Sequence, residues 1–249
     1  MPSNTNTYSS VFVVPCFNEE HRIDLEKWLL FVTLTGAKLV LVNDGSTDKT
    51  SELLNEISRR KPDRVRVVDL ARNLGKAEAT RRGLEEALSL FSETTHVGYL
   101  DADSPYMASD SIRMLEIALK LDCDVVMGSR VRLLGRDVRR TAHRHFFGRL
   151  VAIYLGLGVS NFPYDSQCGL KIFRVSDELR EALQRPFVTR WFVDIELILR
   201  LKERRTIVVV EEPLNVWVDT NGSKIKFINF GRILLELIKI RRKVRSSWT

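Results

Sequence analysis

Val97-Gly98-Tyr99-Leu100-Asp101-Ala102-Asp103 is the stretch on which the reading of this chain turns. Four mostly apolar residues read as a buried strand. Two carboxylates one residue apart follow, so they fall at the carboxyl end of that strand, where an open α/β sheet places its ligands. Ionised Asp side chains there require a partner, and a hard divalent cation suits them. In an extended chain residues i and i+2 point the same way, so Asp101 and Asp103 are predicted to reach one ion. A Mg2+ or Mn2+ ion held by one or two carboxylates takes phosphate oxygens as its other ligands. The alternative is a solvated turn after a strand, and the rest of the chain weighs against it.

Outward from this stretch, short apolar runs alternate with helical patterns. Ser10 to Pro15, Lys38 to Val42, Val65 to Val68 and Asp124 to Gly128 read as further strands. Helices are predicted over Glu19 to Thr35 with Asn18 as N-cap and Gly36 as stop, from Thr47 as cap to Pro62, over Lys76 to Phe91, and from about Ser109 to Leu121. Later come a strand over Leu170 to Phe173, a helix over Asp177 to Leu183, another beginning at Arg190, and a strand over Thr206 to Glu211. Such alternation means βαβ units and a Rossmann-like, mainly parallel sheet flanked by helices. Phe17-Asn18-Glu19, Asp44, Asp101 with Asp103, and Ser129-Arg130 then all follow strands and face one crevice. No G-x-G-x-x-G follows the first strand and no G-x-x-x-x-G-K-[ST] occurs, so dinucleotide-binding and P-loop readings lose their main support.

With 249 residues, 44% of them hydrophobic, the chain can bury a substantial core. Its net charge of +7 suits anionic partners: nucleic acid, acidic lipid or phosphorylated ligands. No nucleic-acid motif accompanies the charge, and few aromatics interleave it, so nucleic acid is not an expected partner. Cys16, Cys123 and Cys168 make neither a zinc spacing nor a disulfide framework, which fits a reducing, cytoplasmic setting. Met1 to Ser10 is polar and is not read as a signal peptide. No run of 18 uncharged apolar residues is present, so a spanning helix is not expected. Two segments bear on a membrane surface. Phe146 to Val159, beside a cluster of arginines from Arg130 to Arg149, is a core helix or an interfacial segment. Phe227 to Arg245 places Asn229, Arg232, Glu236, Lys239 and Lys243 on one polar stripe, with apolar residues elsewhere and a basic end. That helix can lie in a membrane interface, pack on the domain or pair with a second subunit in a homodimer, and its basic end favours the membrane. Residues 1–225 then form the main α/β domain and 226–249 an amphipathic C-terminal helix.

Val14-Pro15-Cys16-Phe17-Asn18-Glu19-Glu20, Val42-Asn43-Asp44-Gly45-Ser46-Thr47-Asp48, Arg72-Asn73-Leu74-Gly75-Lys76 and Asp101-Ala102-Asp103, in this order, resemble family 2 glycosyltransferases of GT-A fold. The likeness covers roughly residues 10 to 225. Asp165 to Phe173, Arg190-Trp191 and Asp194-Ile195-Glu196 look most like the dolichyl-phosphate β-glucosyltransferase branch, and Gly222-Ser223-Lys224 is similar to a segment of dolichol-phosphate mannose synthases. The resemblance implies a nucleotide-sugar donor, UDP-glucose before GDP-mannose, a Mg2+ or Mn2+ ion, a polyprenyl-phosphate acceptor and inversion at the anomeric carbon. It implies that Pro15, Phe17, Asn18, Glu19, Val42, Asp44 and Lys76 surround the nucleotide sugar together with Asp101, Ala102 and Asp103. Asp101 and Asp103 would hold the metal, Arg130 would act with them in catalysis, and Arg130, Gln167, Arg190 and Lys224 would meet acceptor or phosphate groups. Two departures stand out. The mannose synthases carry an arginine before the Gly-x-Ser-Lys segment where this chain reads Trp217-Val218-Asp219-Thr220, and Phe17 replaces a usual tyrosine. Transfer of mannose to the same lipid, or of a sugar to a soluble glycan, is the alternative. A phosphate acceptor is largely ionised at neutral pH and needs no strong general base, so His21, His96, His143 and His145 are read as ordinary residues.

Overall fold

The computed structural model describes residues 9–103, 107–159, 161–218 and 230–247, without the side chains of residues 143, 144, 230–232 and 245–247. Seven strands form one sheet in the order β3-β2-β1-β4-β7-β5-β8. They are β1 (Ser10–Cys16), β2 (Lys38–Asn43), β3 (Val65–Asp69), β4 (His96–Tyr99), β5 (Val125–Ser129), β7 (Lys171–Arg174) and β8 (Val209–Pro213). All run parallel except β7, which lies antiparallel between β4 and β5. The carboxyl ends of β1, β2, β4 and β5 therefore share one edge, and the chain enters β7 at that same edge.

The strands read as continuous apolar runs because both faces are covered. Val11 and Val13, Val40 and Val42, Val97 and Tyr99 face one core; Phe12 and Val14, Leu39 and Leu41, and Leu100 face the other. The second core is closed by α1 (Leu25–Thr35), α2 (Thr50–Arg60) and α4 (Ala108–Lys120). The first is closed by α3 (Lys76–Leu90), α5 (Ala142–Gly156), α6 (Asp177–Leu183), α7 (Val193–Lys202) and α8 (Phe230–Ser247). Strands β6 (Asp137–Arg139) and β9 (Val216–Val218) pair in parallel as a separate two-stranded sheet. Three residues each leave too little pattern to be read from sequence.

Several elements begin elsewhere than their pattern suggests. Helix α1 starts at Leu25, because Arg22 and Ile23 both donate to the Glu19 carbonyl in a separate turn and Asp24 accepts from the Lys27 amide as N-cap. Asn18, the expected cap, has φ +49° and accepts instead from the Thr47 amide at 2.8 Å, tying the loop after β1 to the loop after β2. The latter loop delays α2 to Thr50, whose amide bonds Asp48 rather than Thr47.

Of the two apolar segments, the C-terminal one packs on the domain, and Phe146 to Val159 combines a core face with an exposed one. Helix α8 packs Ile233, Leu237, Ile240 and Val244 into the first core. Glu236, placed on the polar stripe, is buried beside them, where it accepts from the amides of Arg190 and Trp191. Arg241 donates to the carbonyls of Leu155 and Leu157 and so caps the end of α5. Helix α5, in contrast, turns Phe146, Leu150 and Ile153 outward at spacings of 4 and 3, with Phe147 beside them and Leu157 exposed just past its end. Among the described residues no helix is long and apolar enough to cross a membrane.

Candidate active site

The Asp101 segment leaves the central strand β4 as soon as the Leu100 amide has bonded the Val13 carbonyl at 2.9 Å. The strand ends at Tyr99, and Ala102 and Asp103 lie in a turn. The pleat therefore does not set the relation of the two carboxylates; the turn does. It is fixed by Trp28, fully buried in α1, whose indole Nε1 donates to the Ala102 carbonyl at 3.2 Å.

Among the described residues, each carboxylate is ion-paired with a cation. The Lys76 Nζ, at the first residue of α3, lies 2.6 Å from Asp101 Oδ1. Burial alone would lift the Asp101 carboxyl, but the neighbouring Lys76 ammonium, and then Arg130, hold it below its ordinary value. Burial likewise pulls the Lys76 ammonium down, and Asp101 more than reverses this. Asp103 accepts from Arg22 Nη2, and the same guanidinium reaches Glu19 Oε2 at 3.1 Å. Gly169, on the segment entering β7, presses against the carboxylate: a Cβ there would sit 2.1 Å from Asp101 Oδ2.

Asp44, at the end of β2, is almost fully buried and spends its carboxylate on the chain itself. It accepts from the amides of Leu74 at 2.7 Å and Gly75 at 2.9 Å and from Asn73 Nδ2 at 3.0 Å. Burial leaves its pKa above the ordinary value despite these donors. Gly45, with φ +65°, lets the two loops touch, since a Cβ would sit 2.5 Å from the Arg72 carbonyl carbon. Arg190 closes this side: its Nη2 donates to Asn73 Oδ1 at 2.7 Å, and Glu236 of α8 holds its backbone. Asn73 is marked in sequence only as part of the Arg72 to Lys76 motif, and Glu236 carries no sequence signal for this role.

On the other side, Arg130 is committed to Asp165. Its Nε and Nη2 form a two-pronged pair at 2.7 and 2.8 Å, its amide adds a third bond at 3.0 Å, and its guanidinium lies 4.9 Å over the Trp217 ring. The Arg140 Nη1 stands 3.5 Å from the same carboxylate. Burial opposes charge on Asp165, but Arg130 overrides it and drives the carboxyl far below the usual range. Gln167 carries a buried Nε2 with no hydrogen-bond partner among the described residues. The Cys168 thiol is pushed up to about 11 by burial and stays protonated.

The edge thus brings together Pro15 near the end of β1, Phe17, Asn18, Glu19, Asp44, Asp101, Ala102, Asp103 and Arg130 from the loops that follow β1, β2, β4 and β5, Lys76 at the start of α3, and Gln167 and Arg190 from the segments that precede β7 and α7. Val42 contributes only backbone, because its side chain is fully buried under α3. Lys224 lies outside the described residues. Asp194 and Glu196 serve the interior: Asp194 accepts from Tyr99 and lies 2.7 Å from the buried Lys171 Nζ, and Glu196 accepts from Val188, Thr189 and Arg200.

A family model described as Glycosyl transferase family 2 matches residues 11–178. Over 258 residues the chain is 29% identical to the dolichyl-phosphate beta-glucosyltransferase of Dictyostelium discoideum, covering 95% of this chain and 74% of that protein. It is 30% identical over 263 residues to the protein of the same name from Mus musculus, covering 95% and 76%. Among solved structures it is similar to glucosyl-3-phosphoglycerate synthase of Mycobacterium tuberculosis in complex with Mn2+, UDP and glucosyl-3-phosphoglycerate, with TM-score 0.57, 19% identity and coverage of 96% and 78%. A Pyrobaculum calidifontis mannosyltransferase in complex with GDP-Man and Mn2+ matches with TM-score 0.55, 20% identity and coverage of 88% and 59%.

Proposed function

The chain belongs to glycosyl transferase family 2, and we propose that this glycosyltransferase moves a glucosyl group from UDP-glucose to the phosphate of a polyprenyl lipid of the dolichyl type. The observation that carries the reading is the Asp101-Ala102-Asp103 turn at the carboxyl edge of the central strand, faced by Lys76 and Arg22. The names of the relatives, all at similar identity over most of the chain, support glucose and dolichyl phosphate.

In the reaction an ionised phosphate oxygen of the acceptor attacks the anomeric carbon, the bond from that carbon to the donor's diphosphate breaks, and UDP departs with inversion. The acceptor brings its own negative oxygen, since its second pKa lies near 6. No residue has to act as a strong base. The tasks left to the protein are to place the two substrates and to balance the leaving charge. Lys76 stands where it offers its charge to the donor side. Arg130 is held rigid by Asp165, so its field is fixed in direction, a preorganised dipole rather than a mobile ligand.

The donor set fits a divalent cation. Among the described residues no three His, Cys, Asp or Glu side chains gather as a metal cage, and two carboxylates completed by diphosphate oxygens are what Mg2+ or Mn2+ takes. Asp101 and Asp103 would hold it, and when bound it would supply Lewis-acid neutralisation of the diphosphate.

For the lipid acceptor, α5 supplies the apolar surface. Phe146, Leu150 and Ile153, with Leu157 just past the helix end, form an outward stripe on a chain of net charge +7. Such a face with a basic surround suits an anionic membrane interface. Helix α8 is already occupied by its own core.

A thermal-shift panel of UDP-glucose, UDP, GDP-mannose and GDP, each with and without Mn2+, tests the donor. A ligand at 100 times its Kd stabilises by roughly 2.7 kcal/mol. The reading expects a Mn2+-dependent shift with uridine ligands; a shift with guanosine ligands alone would move it to mannose transfer.

A further inference from the structure

We propose that Arg22 is an exchangeable counter-cation of Asp103: it holds the carboxylate while no divalent cation is bound and turns to the donor's diphosphate once one takes its place. The inference rests on the reading of Asp101 and Asp103 as the metal-binding pair.

The two cations at the edge are mounted differently. Lys76 opens a helix and is set by the α3 backbone. Arg22 stands in the turn between β1 and α1 with its side chain a quarter exposed. That turn is pinned: the amides of Arg22 and Ile23 both donate to the Glu19 carbonyl at 2.9 Å, and the Glu19 amide donates to Thr50 Oγ1 at 2.7 Å. The Arg22 backbone is therefore fixed, and any exchange of partners falls to its long side chain. Its fork is divided, Nη1 toward Glu19 and Nη2 toward Asp103.

Arginine does not lose its proton in a protein. A divalent cation on Asp103 would meet a guanidinium already bonded to the same carboxylate, and the like charges repel across a few ångströms. That repulsion weakens the hold of Asp103 on the guanidinium and favours its release. Glu19 keeps one prong of the fork near the edge, and the other prong is released beside the place where the donor's diphosphate balances the metal. A planar guanidinium matches phosphate oxygens with two parallel bonds. One exchange thus couples metal and diphosphate: the cation sets the arginine free, and the arginine strengthens the nucleotide. By linkage, nucleotide must then strengthen the cation in return.

The test uses the full chain, its Arg22→Gln, Arg22→Lys and Asp103→Asn variants, and two binding readouts that need no turnover. Mn2+ alone is titrated and its free concentration followed by paramagnetic resonance; UDP is then titrated calorimetrically at saturating Mn2+. Arg22→Gln is expected to bind Mn2+ about fivefold tighter than wild type, the value of a partly exposed ion pair, and UDP about tenfold more weakly, as for loss of one charged hydrogen-bond partner. Mn2+ affinity equal to or weaker than wild type overturns the exchange, as does unchanged UDP affinity. Should Arg22→Gln fail to fold, Arg22→Lys decides, because it keeps the charge without the fork. Weaker UDP binding supports the proposal there, and wild-type UDP affinity overturns it. If wild type binds Mn2+, Asp103→Asn does not and Arg22→Gln matches wild type, the Arg22 inference alone falls. If wild type binds no Mn2+, the metal reading falls with it.

Discussion

Replacing Gly169 by alanine isolates the placement of Asp101. Gly169 lacks the positive φ of Gly45 and Gly75, so its backbone accepts any residue and the substitution meets only a lack of space. The added Cβ would lie 2.1 Å from Asp101 Oδ2 and 2.5 Å from its Cγ. The loop cannot retreat, because Cys168 and Leu170 on either side are fully buried and the Leu170 carbonyl is held by the Gly128 amide at 2.9 Å. The carboxylate must therefore withdraw, by at least about 1.3 Å to regain ordinary contact, and it gives up part of its 2.6 Å contact with Lys76 as it does so. A misplacement of about 1 Å in a catalytic constellation costs on the order of 100-fold in rate. Overpacking of this kind costs about 1–3 kcal/mol of stability, so the variant should remain folded. The assay is kcat/KM for glucosyl transfer alongside a urea unfolding curve. We expect kcat/KM to fall about 100-fold in a protein that keeps its cooperative transition. A folded Gly169→Ala within about threefold of wild type would refute the claim that Asp101 needs its present position.

Further outcomes follow from the rest of the structure. Asp165→Asn leaves the Arg130 charge buried without its two-pronged partner, and should cost about 3–5 kcal/mol in urea unfolding; a loss below about 1 kcal/mol would show that Asp165 does not hold it. The double variant Leu150→Glu/Ile153→Glu places two charges on the exposed α5 stripe and should reduce co-sedimentation with anionic vesicles by about tenfold or more, without loss of stability; unchanged vesicle binding would remove α5 as the membrane face. His96 is held below its ordinary pKa by burial first and by Arg174 second. A depressed group favours the fold above its unfolded value near 6.5 and withdraws that support as pH falls below it, so stability should decline from pH 7 toward pH 5, by at most about 1.4 kcal/mol per pH unit. His96→Gln should flatten that slope, and an unchanged slope would place the titration elsewhere.

The alternation of strand and helix, and the shared edge of Asp44, Asp101 and Arg130, are visible in the residues because a parallel sheet buried on both faces writes continuous apolar runs and its turns carry the polar groups. What the residues do not display are partnerships across long separations. Arg22 and Asp103 lie 81 positions apart, and Arg190 and Asn73 lie 117 apart; nothing in the local pattern of either pair announces the other. Glu236 reads as part of a solvent stripe because helical periodicity counts side chains and cannot see two backbone amides waiting to be satisfied. The sequence leaves the role of α5 open between core and interface, since an apolar residue carries no mark of which side of its helix the core will occupy. Gly169 supplies room for a carboxylate, and nothing in its local sequence marks that role.

Transfer itself provides the most direct test. Purified protein with Mn2+ and dolichyl phosphate is given labelled UDP-glucose or labelled GDP-mannose, and the label entering the organic phase is counted. The account predicts glucose-labelled lipid from UDP-glucose, lost in Asp103→Ala by at least about 100-fold. Label that enters lipid only from GDP-mannose, or glucose that appears only in water-soluble product, would contradict it.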